Sequence, residues 1–77
     1  MHISIIEPTR LHNFSAPWIR LQTRAGNIII QEGHAPMVAL LPAQELVITL
    51  ASGAQELITI KSGCARIERN SITIIIS

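Results

Sequence analysis

The chain contains no aspartate and no tyrosine, a single cysteine, and only Phe14 and Trp18 as aromatics. Each shortage removes a class of function. Without Asp, all acidic chemistry falls to Glu7, Glu32, Glu45, Glu56 and Glu68. Their dispersal gives no pair of carboxylates in contrasting environments, which acid/base catalysis needs. Cys64 alone cannot form an internal bridge, so the disulfide staples of small secreted domains are missing and a reducing compartment fits. Its setting, Ser62-Gly63-Cys64-Ala65, supplies no base to activate a nucleophile and reads as a small buried thiol. Two aromatics are too few for a base-stacking platform. Five Arg and one Lys, scattered singly at a net charge of +1, form no phosphate-tracking stripe, so no nucleic acid is expected. Neither GxGxxG nor GxxxxGK[ST] occurs, which removes the common phosphate cradles and leaves no cofactor or small-molecule substrate expected. His2, His12, His34 and Cys64 lack metal-ligand spacing, so no metal is expected either.

Long hydrophobic runs are also absent. The N-terminus reaches Glu7 and Pro8 before an apolar signal core can form. The longest mostly apolar stretch, Ala35 to Ala43, holds two prolines and is about half the length of a membrane-spanning helix. A soluble or membrane-peripheral chain is expected. Apolar spacing at three and four residues is never sustained for about ten residues, so long helices are not expected either.

What the sequence does have is β-branched residues. At 77 residues, 48% hydrophobic and 14% charged, it reads as one folded domain over residues 1–77 rather than a disordered segment. A chain of this size buries only about 60% of its unfolded surface, so its stability margin is thin. Fifteen Ile, two Val and five Thr fall in short runs separated by Gly, Pro, Asn and Ser. Leu46-Val47-Ile48-Thr49-Leu50 and Ile58-Thr59-Ile60-Lys61 alternate with a period of two across Ala51-Ser52-Gly53-Ala54 and predict a hairpin. A second hairpin is predicted from Ala65-Glu68 to Ile72-Ile76 through Arg69-Asn70-Ser71, with Asn70 suited to a left-handed turn. Ile3 to Ile6, Trp18 to Thr23 and Ile28 to Ile30 complete an all-β reading: about seven or eight short, mostly antiparallel strands in a two-layer sandwich or flattened barrel. Ile28-Ile29-Ile30 and Ile74-Ile75-Ile76 place apolar groups on both strand faces, to be covered by a partner or by loops of the same fold.

Gly33-His34-Ala35-Pro36 is the most informative segment. Gly33 permits an unusual backbone angle, Pro36 fixes its own and extends Ala35, and His34 sits at the bend. The residues alone suit either a shaped loop with a packed histidine or a rigid docking tip.

At this loop the sequence resembles the epsilon subunit of F-type ATP synthases, called delta in mitochondria, whose amino-terminal β-sandwich carries a Gly-His-Ala-Pro loop followed by aliphatic residues. The likeness runs along nearly the whole chain: Ile3-Ser4-Ile5-Ile6-Glu7-Pro8 looks like the first strand, Phe14-Ser15 precedes the second, and Gly26 and Ile30 precede the loop at the family spacing. Glu45-Leu46-Val47-Ile48, Ser62-Gly63, Arg66-Ile67-Glu68 and Asn70-Ser71-Ile72-Thr73-Ile74 follow in the family's order. Asn27 stands where many members have an acid, Glu32 where a proline is usual, and Cys64 replaces the second glycine of a Ser-Gly-Gly turn. The chain stops at Ser77, short of the family's carboxy-terminal helical hairpin, whose regulatory roles are not carried over.

The resemblance implies a non-catalytic rotor component of the F1 sector that clamps the gamma subunit and seats it on the c ring during proton- or sodium-driven ATP synthesis. It implies peripheral attachment at the cytoplasmic face of a bacterial inner membrane, or at the matrix or stromal face in an organelle. Asn27, Ile28, Gln31, Glu32, Gly33, His34, Ala35 and Pro36 are then the candidates for the gamma and c-ring interface. Two other classes compete: a free-standing β-sandwich that binds proteins or self-associates through Ile-rich edge strands, and a small enzyme pairing His34 with Cys64.

Overall fold

A computed structural model describes residues 1–77. Nine strands form the fold: β1 (His2–Ile6), β2 (Leu11–Ser15), β3 (Trp18–Thr23), β4 (Gly26–Gln31), β5 (Met37–Leu41), β6 (Gln44–Thr49), β7 (Gln55–Ile60), β8 (Gly63–Ile67) and β9 (Ser71–Ile76). They lie in a five-stranded sheet ordered β2-β1-β9-β8-β5 and a four-stranded sheet ordered β4-β3-β6-β7. The all-β sandwich expected from the sequence is present, with more strands than expected. The additions are β5, Met37-Val38-Ala39-Leu40-Leu41, and β2, Leu11-His12-Asn13-Phe14-Ser15, which has no β-branched residue and only half-buries one face at the sheet edge.

Alternation decides which side chains face inward. Ile3 and Ile5, Ile72, Ile74 and Ile76, Ala65 and Ile67, and Ala39 and Leu41 project from the five-stranded sheet, and Ile19, Leu21, Ile30, Leu46, Ile48 and Ile60 answer from the other. With Ala16 these make a core of sixteen residues, ten of them isoleucine, that contains no polar side chain. Both predicted hairpins form, β6–β7 and β8–β9. The second turns without a left-handed residue, since no non-glycine has a positive φ; the turn instead closes by Glu68 donating its amide to the Ser71 carbonyl at 2.8 Å, so Asn70's tolerance is not used.

The isoleucine runs are not covered on both sides. Ile30, Ile74 and Ile76 are buried, while Ile29 and Ile75 are exposed and no loop folds over them. One relationship could not be read from local pattern at all: β1 pairs in parallel with β9, His2 opposite Ser71 through Ile6 opposite Ile75, joining strands from opposite ends of the chain.

Between β3 and β6 only Trp18–Thr49 and Ile19–Ile48 pair through the backbone. The Gln44 side chain continues the ladder: its Nε2 donates to the Gln22 carbonyl at 2.9 Å while its Oε1 accepts from the Gln22 amide at 3.0 Å. One side-chain amide thus stands in for a peptide group where the strands diverge.

Candidate functional site

The loop between β4 and β5 is shaped by its backbone. Gly33 has φ +88°, a left-handed conformation that L side chains avoid, and its amide donates to the carbonyl of Arg69 in the β8–β9 turn at 2.6 Å. His34 donates its amide to the Gln31 carbonyl at 3.1 Å, closing the turn out of β4. The same β8–β9 turn receives the start of β1, because the His2 amide donates to the Asn70 carbonyl at 3.1 Å. The loop is therefore anchored to both sheets.

Gln31, Glu32, Gly33, Ala35 and Pro36 are exposed and His34 is half-buried. The loop stands in solvent around a histidine that is neither fully packed nor fully exposed. The His34 ring makes one bond within the chain, Nδ1 donating to the Ala35 carbonyl at 2.7 Å. A carbonyl can only accept, so Nδ1 carries a proton and Nε2 is left without a partner in the chain. Beside the loop lies an open groove of about 680 Å³ lined by Pro36, Met37, Val38, Arg66, Glu68 and Arg69, among others.

Asn27 and Ile28 do not join this site. They lie at the opposite end of β4, with Asn27 about 13 Å from Gln31 at the rise of an extended strand. Asn27 is exposed beside Gly26, whose φ of +119° turns the chain out of β3. Ile28 points inward and packs against the core. The eight candidates thus resolve into a loop of six, exposed but for the half-buried His34, one exposed residue at the far turn, and one partly buried side chain packed against the core.

Cys64 is not the buried thiol expected from its small neighbours. It is half-exposed on β8, on the face opposite the inward-pointing Ala65 and Ile67. His34 precedes β5, whereas Cys64 pairs with Leu40 near the exit of that strand, so the two occupy opposite ends of the sandwich and form no dyad. No three of the His, Cys and Glu side chains converge on a point. Close polar groupings do occur on β1 and β2. Glu7 Oε2 lies 2.6 Å from His12 Nε2, and the His12 ring stacks on Phe14. His2, Ser4 and Asn13 bond one another at 3.0 to 3.1 Å on the outer face of the five-stranded sheet. Sequence reasoning did not reach Arg69, because it serves through its carbonyl oxygen, a role with no signature in residue type.

A family model described as "ATP synthase, Delta/Epsilon chain, beta-sandwich domain" matches residues 1–77. No curated protein matches the chain in a sequence search. Among solved structures, the fold is similar to a chain of the Tetrahymena thermophila mitochondrial ATP synthase central stalk and c ring, with a TM-score of 0.82 and 18% identity over 99% of this chain and 62% of that one. It is also similar to a chain of the Euglena gracilis mitochondrial ATP synthase OSCP/F1/c-ring assembly, with a TM-score of 0.83 and 16% identity over 96% of this chain and 48% of that one. The present chain thus spans less than two thirds of the length of either, and at these identities the likeness is one of fold.

Proposed function

Since the chain belongs to the family of ATP synthase delta/epsilon β-sandwich domains, we propose that it is a non-catalytic central-stalk component of an F-type ATP synthase. In this reading it clamps the gamma subunit and seats it on the c ring, peripheral to the coupling membrane, on the cytoplasmic side in a bacterium or the matrix or stromal side in an organelle. The observation that carries the reading is the full-length family match; the anchoring of the Gly33–Pro36 loop supports it. A part that transmits torque has to resist deformation, and a loop hydrogen-bonded at 2.6 Å to a turn of the facing sheet, above an all-apolar core, is stiff. Gln31 to Pro36 then form one contact, and Asn27, at the other end of β4, belongs to a separate one.

Co-expression with the gamma subunit of the same organism, followed by sizing at moderate salt, tests the proposal. A one-to-one complex is expected. Elution of the chain alone, beside gamma that is folded and joins its other partners, overturns it and leaves the free-standing binding domain as the account. His34→Ala separates contact from packing: because the ring bonds only its neighbour's carbonyl, the variant is expected to keep its unfolding midpoint and lose affinity for the complex.

A further inference from the structure

The pairing registers show which backbone groups the sandwich leaves unused. Flanking the β8–β9 ladder, in which Gly63 faces Ile76 and Ile67 faces Ile72, the Ser77 amide donates to the Ser62 carbonyl at 3.3 Å and the Glu68 amide to the Ser71 carbonyl at 2.8 Å. Both groups of a strand residue point to one side and successive residues alternate, so the even-numbered residues of β8 turn their backbone to β9 and the odd ones turn theirs to β5. In β5 the partners of Ile67, Ala65 and Gly63 are Met37, Ala39 and Leu41. Val38 and Leu40 are left with N–H and C=O aimed out of the sheet, where β5 has no second neighbour. No backbone bond outside the ladders reaches either residue.

β5 is also an edge without the usual protection. Met37-Val38-Ala39-Leu40-Leu41 contains no charge and no proline, two of the devices that keep a bare edge from recruiting another chain. The other three edge strands carry polar side chains: His12, Asn13 and Ser15 in β2, Asn27 and Gln31 in β4, and Gln55 and Glu56 in β7. Beside β5 lies an open groove of about 280 Å³, with Met37 to Leu40 on one wall and Thr23 to Ala25 of the β3–β4 turn on the other.

The unused groups select the form of the occupant. Val38 and Leu40 stand about 6.8 Å apart along the strand and offer two donors and two acceptors in line. A helix has its peptide groups bonded internally and cannot meet them, whereas an extended chain presents matching groups at the same spacing. A second copy of this chain would bring the same two residues and make about four hydrogen bonds, which at their usual net contribution support only about millimolar self-association. A partner that also holds the neighbouring loop is not so limited, and Met37 follows Pro36 directly, so the edge continues the Gln31–Pro36 contact. Val38 and Leu40, exposed at 67% and 59%, suit a segment with apolar residues at alternate positions beside them.

We propose that an extended, alternately apolar segment of the partner subunit held by the Gln31–Pro36 loop adds to β5 as a further strand of its sheet. This rests on the rotor reading above and adds the edge used and the form of the segment that takes it.

Amide hydrogen exchange in the free chain and in its complex with gamma tests this. In the free chain Val38 and Leu40 are expected to exchange at least about tenfold faster than Ala39 and Leu41, whose amides face β8. In the complex both are expected to slow by at least about tenfold. Leu40→Pro removes one outward donor where an edge strand tolerates proline, and it is expected to weaken the complex at least about tenfold beyond Leu40→Ala. Slow exchange at Val38 and Leu40 in the free chain means that the edge is already covered and overturns the proposal. Fast exchange there in an intact complex overturns the added strand and leaves the rotor reading standing. Equal losses in Leu40→Pro and Leu40→Ala reduce the contact to side chains and overturn it as well. A free chain that sizes as a dimer, and becomes a monomer with Leu40→Pro, overturns the partner segment in favour of a second copy. Should Leu40→Pro not fold, the exchange comparison decides alone. Failure of any complex to form overturns the rotor reading and this inference with it.

Discussion

The amide of Gly33 and the carbonyl of Arg69 meet at 2.6 Å, linking the loop that leaves the four-stranded sheet to a turn of the five-stranded one. The bond depends on the left-handed backbone at Gly33, with φ +88°. Space is not the constraint there, because a Cβ added at Gly33 would meet nothing within 4 Å. Conformation is.

Gly33→Ala is therefore expected to lower stability by about 1–2 kcal/mol, the usual penalty for an L side chain in this region, with Gly33→Val worse because of its branched Cβ. Urea unfolding measures the loss, and hydrogen exchange at residue 33 shows whether the bond to Arg69 has opened. Unchanged stability and exchange in both variants would mean that the loop relaxes into an ordinary conformation.

Gln44 offers a test of a side chain that substitutes for backbone. Gln44→Ala removes both bonds to Gln22 and a third to the Pro42 carbonyl. Partial exposure lets water replace some of them, so the expected loss is about 1–2 kcal/mol. Gln44→Glu keeps the acceptor and loses the donors, and it is expected to fall between Ala and the parent. Equality of all three in chemical denaturation would show that the β3–β6 gap contributes nothing.

Gly63 is constrained in the opposite way from Gly33. Its backbone angle is ordinary, yet a Cβ there would lie 3.0 Å from the Ile75 carbonyl oxygen and 3.1 Å from Ile76 Cγ2. Gly63→Ala is expected to cost about 1–3 kcal/mol through crowding against the β9 backbone. Combining Gly63→Ala with Ile76→Leu, which removes the Cγ2 branch and keeps the side chain's volume while leaving the backbone unchanged, separates the two contacts: recovery implicates Ile76, and no recovery implicates the carbonyl.

Ile5 is fully buried on β1, a central strand of its sheet. Ile5→Ala is expected to cost about 2–5 kcal/mol from lost burial and the cavity left behind. A chain of 77 residues has roughly 4–12 kcal/mol in total, so the variant is expected to be partly unfolded at 37 °C. Far-ultraviolet circular dichroism against temperature reads this directly.

The alternation of Ile, Leu and Thr specified the faces of most strands before any coordinates, because a period of two is a local property. Gly33 was legible for the same reason: glycine before His-Ala-Pro announces a turn that other residues resist. β2 was not, since Leu-His-Asn-Phe-Ser is held by its pairing with β1 rather than by propensity. The parallel β1–β9 ladder and the exposed file of Leu11, Ile6, Ile75, Cys64 and Leu40 across the five-stranded sheet were equally hidden. Both arise from register between segments far apart in sequence, and each exposed residue of the file looks unremarkable in its own strand. The distance between Asn27 and the loop follows from β4 itself, because an extended strand carries sequence neighbours apart.

The pairing of β1 with β9 also governs the order in which the molecule can be made. During synthesis β1 emerges first, yet its neighbour on one side is the segment from Ser71 to Ile76, and until that arrives Ile3 and Ile5 have only β2 beside them. The five-stranded sheet therefore closes late, through its most distant contact, a topology that slows folding. The nascent chain carries an apolar, unpaired strand edge throughout that wait, the kind of edge that invites pairing with another chain before the sheet is complete.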